Sequence, residues 1–274
     1  MPDRDDVLTE LGLTPLWRLR ARADAQPADC SEAATTAAPR RGDVGAPWSA
    51  ADAPASDAPT SASDAAVSAD ARINRIAKIE WRDFAQDVEA CTACALCRGR
   101  RKSVPGVGDP HAEWLFIGEA PGAEEDARGE PFVGQAGKLL DNMLAALGVK
   151  RGENVYIANV LKCRPPNNRT PEPLEVDACR PYLDRQIALI EPKIIVALGK
   201  SAAATLLDVD ASIASLRGRV HRYRGVPLVV TYHPAYLLRN LPDKAKAWED
   251  LLFARRTLRG AGLSEPPKSG NLNL

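Results

Sequence analysis

Aromatic residues are scarce in this chain, only 5% of 274, so an aromatic inside a motif is a candidate for a specific role. Net charge is lacking as well. Lys+Arg and Asp+Glu both total 36, for a formal net charge of +0, so attraction to a polyanion has to come from local basic patches. No run approaches the roughly 18 apolar residues of a membrane span, and no membrane partner is expected. Asp3, Asp5 and Asp6 open the chain and no signal-like apolar core follows them, so a cytoplasmic protein is expected. Two nucleotide signatures are missing. The Gly118–Gly122 turn lacks the G-x-G-x-x-G fingerprint, and Gly199-Lys200-Ser201 has Ile194 where a P-loop requires glycine; dinucleotide binding and NTP hydrolysis are excluded on that ground.

What is present is unevenly distributed. Residues 26–71 are dominated by Ala, Ser, Asp, Pro and Thr, with Val44, Trp48 and Val67 as the only large hydrophobics. Such a segment buries too little apolar surface to offset its ordering entropy and reads as a disordered linker. Residues 1–25 hold a small apolar island, Leu8 to Leu19, interrupted by Pro15. It reads either as an element docking on the main domain or as a tethered peptide for a protein partner. The folded domain is expected over 73–262, with a flexible tail over 263–274.

Within that domain, apolar runs at 113–119, 154–162, 193–199 and 226–234 alternate with helical patterns at 134–148, 171–192, 201–208 and 243–260. Continuous apolar runs suit strands buried on both faces. The alternation predicts an α/β fold, three layers α/β/α around a mostly parallel four-stranded sheet. Sites in such sheets form at the carboxyl ends of strands, which directs attention to the loops after Ile117, Asn159, Gly199 and Thr231.

Six cysteines without an export signal read as metal ligands or reactive thiols before they read as disulfides. Cys91 and Cys94 form a C-x2-C pair; Cys163 and Cys179 are separated by 15 residues. The set lacks the second tight pair of a usual zinc site, and four separated thiolates also suit an iron–sulfur cluster. Spacing leaves the metal open. Cys97 makes an overlapping C-x2-C with Cys94, and Cys30 lies in the linker.

The loop GEAPGAEED, 118–126, combines a tight turn with carboxylates suited to general-base work. Taken singly, this is an acidic turn, Phe132 a core aromatic, Asn159 a turn residue and His233 a structural imidazole. Together they place a carboxylate, a flat π-face, a bidentate amide and an imidazole on one predicted rim, a set suited to a planar base. Basic residues cluster at 98–102, at Arg217, Arg219, Arg222 and Arg224, and at Arg255, Arg256 and Arg259, and are read as phosphate contacts.

The segments GEAPGAEED, PFVGQAGKLL, NVLKCRPPNNRTPEP, ACRPYLDRQI and TYHPAYLLR resemble the family 4 uracil-DNA glycosylases, in family order from about Ala85 to Leu252. The resemblance implies a monofunctional enzyme, acting as a monomer on uracil-containing DNA. It implies a [4Fe-4S] cluster held by Cys91, Cys94, Cys163 and Cys179. Gly118, Glu119 and Ala120 would line the uracil, Phe132 would stack on it, Asn159 would pair with its O4 and N3–H edge, and His233 would donate to O2. Glu119, or else Glu125, would position the attacking water. Leu237, Leu238 and Arg239 would enter the duplex. A related branch links uracil covalently through a histidine in a basic insertion; His221 lies in a basic stretch here, without a matching insertion. The rival reading is a metal-stapled nucleic-acid-binding protein without enzymatic activity, for which Glu119, Asn159 and His233 together would have no use.

Overall fold

The structure, a computed structural model, describes residues 70–260. The apolar island, all but the last two residues of the linker, Cys30 and the C-terminal tail lie outside the described residues. A helical segment over 70–76 leads into α1 (Trp81–Ala90), followed by β1 (Val107–Gly108) and β2 (Trp114–Gly118). Next come α2 (Ala123–Arg128), α3 (Gln135–Leu147), β3 (Val155–Asn159), α4 (Pro173–Ile190) and β4 (Ile194–Leu198). The chain continues through α5 (Lys200–Leu207), α6 (Ile213–Leu216), β5 (His221–Tyr223), β6 (Val226–Thr231), α7 (Pro234–Leu237) and α8 (Asp243–Leu258).

The four expected strands form a parallel core in the order β3-β2-β4-β6. The expectation of four strands is corrected to six, because β1 and β5 add antiparallel edges against β3 and β6. At two and three residues, these edges are too short to leave an apolar run in the sequence.

Every residue of β2, β3 and β4 is buried, as continuous apolar runs require of strands covered on both faces. In β2, Trp114 and Phe116 pack towards α3 and α8, which supply Leu140, Leu144, Leu251 and Ala254. Leu115 and Ile117 point the other way, towards α4 and α5, which supply Leu183, Ile187, Ala202 and Ala203. The result is the expected three-layer arrangement. Helix α1 packs Phe84 and Val88 on Tyr182 of α4. Helix α3 ends as its sequence indicates, at Gly148 with φ 82°. Among the described residues, no helix is long and apolar enough to cross a membrane.

The chain enters the core at β2, crosses to β3 on one side, then passes back to β4 on the other. Where the strand order reverses, the carboxyl ends of β2 and β4 open a crevice, the position where ligands bind in sheets of this kind.

Candidate active site

A cavity of about 530 Å³ lies at that end of the sheet, lined by Glu119, Ala120, Glu125, Phe132, Asn159 and His233, with Arg169, Tyr236 and Arg239 among its remaining walls. Residues from the loops after β2, β3 and β6 meet there, and Ser201, just after β4, reaches Glu119. A larger groove of about 860 Å³ lies between the 70–76 helical segment and α4, but it gathers none of these groups.

Asn159 pairs with Gly118 across the parallel ladder. A Cβ at Gly118 would sit 2.4 Å from Asn159 Oδ1 and 2.6 Å from Phe132 Cζ. Gly118 therefore works by having no side chain, which lets the amide and the ring converge above it. Asn159 is only 2% exposed. Its backbone carbonyl accepts from Lys162 Nζ at 2.8 Å, yet among the described residues its side-chain amide has no hydrogen-bond partner. Among the described residues no buried side-chain polar atom is left without a partner, so the Asn159 amide opens onto the cavity it lines, where a ligand can take up its donor and acceptor.

The rings of Phe132 and His233 stack at 5.5 Å with an interplanar angle of 29°. His233 caps α7: its Nδ1 accepts from the Ala235 N–H at 3.1 Å. Nδ1 thus keeps its lone pair and the neutral ring carries its proton on Nε2. Burial, aided by the Arg239 cation and opposed by Glu125, lowers the His233 pKa to about 4. At neutral pH the site offers an uncharged imidazole with an Nε2–H donor.

The two candidate carboxylates have separate situations. Burial raises Glu119 above the ordinary carboxylate range, partly offset by a hydrogen bond from Ser201, and among the described residues no cation pairs with it. Glu125 is already engaged. One oxygen accepts from Val133 N at 3.0 Å and Gly134 N at 3.2 Å, and the other from Gly122 N at 3.1 Å. With both oxygens committed to backbone amides, Glu125 braces the loops around the cavity rather than offering a base.

The end of α7 and the two residues after it require a correction. Leu237 is 1% exposed and packs with Tyr232 and Ala247, so it is a core residue and not a wedge for a duplex. Leu238 is 42% exposed, and Arg239 lines the cavity. The basic clusters also need redistribution. Arg100 bonds the Cys91 carbonyl and Cys163 Sγ; Arg217 pairs with Asp250 and Arg224 with Asp184. Arg255 and Arg259 flank Trp114 at the amino end of β2, the end of the sheet away from the cavity. Arg169 joins Arg239 in the cavity wall, held bidentately by Glu175 at 2.9 and 2.6 Å. Sequence reasoning had passed over it as part of a motif. His221 lies on the edge strand β5, where its Nε2 contacts the Leu216 carbonyl, and is not part of the cavity wall. Fully buried Lys162 donates to Gln186 Oε1 at 2.6 Å and likewise stays outside the cavity.

A separate narrow cleft collects Cys91, Cys94, Cys97, Cys163 and Cys179 beside Arg100 and Tyr182. Cys163 feels the charges of Cys91 and Cys94, and Cys179 those of Cys94 and Cys163. Cys97 lines the same cleft and acts on Cys94. Donors already point at the sulfurs: Arg100 at 3.1 Å to Cys163 Sγ, the Lys162 N–H at 3.3 Å to Cys179 Sγ, and Arg72 at 3.6 Å to Cys91 Sγ. Burial raises Cys94 and Cys163, and takes Cys179 to about 12, so thiolates here need a compensating cation. Among the described residues, no three His, Cys, Asp or Glu side chains converge on the position of a single metal ion. The chemistry of the donor set, cysteine sulfurs gathered in one cleft with N–H and guanidinium donors aimed at them, is that of an iron–sulfur site.

Comparison with known proteins agrees with the geometry. The Uracil DNA glycosylase superfamily profile matches residues 105–252. The type-4 uracil-DNA glycosylase of Archaeoglobus fulgidus is 48% identical over 164 residues, 57% of this chain and 82% of the relative. That of Thermotoga maritima is 44% identical over 179 residues, 64% of this chain and 93% of the relative. The type-5 uracil-DNA glycosylase of Thermus thermophilus is 32% identical over 189 residues, 53% of this chain and 84% of the relative. The pocket at the strand ends, the five-cysteine cleft and these matches together place the chain in the uracil-DNA glycosylase superfamily, as a member of its type-4 family.

Proposed function

We propose that this chain excises uracil from DNA by hydrolysing its N-glycosidic bond, with the strand-end cavity as the pocket for the flipped base. The observation that carries the reading is the Asn159 amide, held by no protein group and open to the cavity, set beside a neutral imidazole and an aromatic ring. A flipped base is read by hydrogen bonds to its Watson–Crick edge and by stacking. Asn159 meets O4 and N3–H, Phe132 stacks, and the backbone of Gly118 to Ala120 closes the rim. Cytosine presents the opposite donor and acceptor at that edge and leaves the amide unpaired, which is how polar sites reject close analogues.

As the N1–C1′ bond breaks, its electron pair passes to the base and the sugar becomes oxocarbenium-like. His233 Nε2–H faces O2, where negative charge grows, and a neutral donor meets it without first losing a proton. Glu119 orients the water that adds at C1′, takes the proton it loses, and balances the positive sugar until then. Uracil departs as an anion and an abasic site remains. Arg169, Arg239 and Leu238 at the mouth contact the backbone and the gap left by the flipped nucleotide. One chain supplies the whole pocket, so a monomer is competent, and a cytoplasmic place of action accords with a DNA substrate.

Cys91, Cys94, Cys163 and Cys179 would hold a [4Fe-4S] cluster, with Cys97 left out. When bound it supplies a structural staple joining the end of α1, the loop after β3 and α4. Purified protein should then be brown, absorb broadly at roughly 400 nm and carry about four irons per chain. Cys179→Ser should lose iron and Cys97→Ser should keep it. Colourless protein containing zinc would refute the assignment.

The acid limb of the reaction should belong to Glu119. Its raised pKa places the fall in rate above the ordinary glutamate value near 4.5. No step should occur at 6.5, since His233 stays neutral down to about 4. A single-turnover pH profile checks this, and an inflection at 6.5 would show that His233 titrates as an ordinary imidazole. The same lowering has a stability consequence. Between pH 6.5 and 4 the unfolded chain takes up a proton that the folded chain does not, so this contribution to stability drains away as pH falls through that window.

Activity itself is tested on an oligonucleotide with one uracil, beside a thymine control. Free uracil and strand cleavage only after alkali are expected. Intact uracil strands with folded, cluster-loaded protein would leave the nucleic-acid-binding reading in its place.

A further inference from the structure

Phe132 carries a backbone φ of 54°, a left-handed conformation that bulky residues rarely adopt. Strain of this kind persists only where the surroundings impose it, and here they do so from three sides. The Glu125 carboxylate takes the N–H groups of Val133 and Gly134. On the other side, Arg151 donates one arm to the Pro131 carbonyl and one to the Phe132 carbonyl, each at 2.9 Å. Its Nε is fixed by Asp141 Oδ1, also at 2.9 Å. At the third side, a Cβ on Gly137 would lie 1.7 Å from the Phe132 carbonyl oxygen, so the peptide runs directly against the first turn of α3.

Arg151 does not line the uracil cavity; it faces a different cleft, with Asp141, Lys150 and Glu153. We propose that Arg151 is a positioning residue for uracil excision, whose forked guanidinium holds two consecutive carbonyls so that the Phe132 ring stays beneath the flipped base. The inference rests on the reading of Phe132 as the stacking platform. Arginine suits the task because its planar fork makes two parallel bonds, which the single ammonium of lysine does not reproduce. Without the clamp the 131–132 peptide relaxes towards negative φ and carries the ring away from Gly118 and Asn159.

The test uses the full, cluster-loaded chain with Arg151→Ala and Arg151→Lys, each also combined with Phe132→Ala. Misplacing a group by about an ångström costs on the order of 10²-fold, and a partial displacement here should slow single-turnover excision by about 10- to 30-fold. Inhibition by free uracil should weaken in parallel, while affinity for undamaged duplex stays unchanged. Arg151→Lys keeps the charge and the Asp141 pair, so it should fold even where Arg151→Ala does not, and it should remain slow. In the Phe132→Ala background either Arg151 change should add less than about twofold, as residues acting through one another are not additive. Full multiplicative losses in the double variants, or wild-type rates in the single Arg151 variants beside a slow Phe132→Ala, would overturn the inference alone. A wild-type rate for Phe132→Ala would overturn the platform reading and this inference with it.

Discussion

Replacing Asn159 by alanine should lower the single-turnover rate of uracil excision by about 10³-fold, the scale at which losing paired contacts to a reacting base is felt. The protein should lose nothing in folding. The Asn159 amide makes no hydrogen bond to the protein and opens onto the cavity, so the melting temperature of the variant should stay close to that of the wild type. Affinity for undamaged duplex should hold, because phosphate contacts and base contacts are separate. The combination is diagnostic: a large rate loss with unchanged stability marks a group kept for its ligand. A large fall in melting temperature would instead show that Asn159 serves the fold, and a wild-type rate would remove it from the site.

The second large effect belongs to His233. His233→Ala removes the donor facing O2, and deleting one such donor costs about 10²–10³-fold in rate. It also removes the side-chain acceptor that caps α7, worth about 1 kcal/mol at a helix start. These losses separate in His233→Asn, whose side chain can still accept from the Ala235 N–H. That variant should recover most of the melting temperature and little of the rate. If rate and stability recover together, the imidazole acts mainly through the cap.

Much of this site is visible in the sequence because strand ends are visible. The runs around Phe116, Ile157, Val196 and Val229 are apolar on both faces, which fixes a parallel core and therefore the four loops where chemistry gathers. Glu119, Asn159 and His233 are unlike residues at three of those ends, and Ser201 marks the fourth. It was visible only as the end of a rejected P-loop, since a hydrogen bond to Glu119 across β2 and β4 leaves no local pattern. The edges β1 and β5 have too few residues for a period to show.

Direction is what the sequence hides. In Leu237-Leu238-Arg239 nothing local tells which leucine turns inward, and the packing of Leu237 on Tyr232 and Ala247 settles it. The same holds for charge. Arg217 and Arg224 look like a phosphate patch as a string, yet each is consumed by an aspartate, while Arg169 reaches the mouth from a loop read only as a motif. Glu125 passes for a general base until its oxygens are seen holding three backbone amides. Arg151 has no signature at all, because its partners are main-chain carbonyls 19 and 20 residues away.

The most direct measurement is a crystal structure of the cluster-loaded protein soaked with free uracil. Uracil should lie in the strand-end cavity, its O4 and N3 edge on the Asn159 amide, its O2 within hydrogen-bond reach of His233 Nε2 and its ring face on Phe132. Uracil bound elsewhere, or His233 rotated so that Nδ1 faces the base, would contradict this placement.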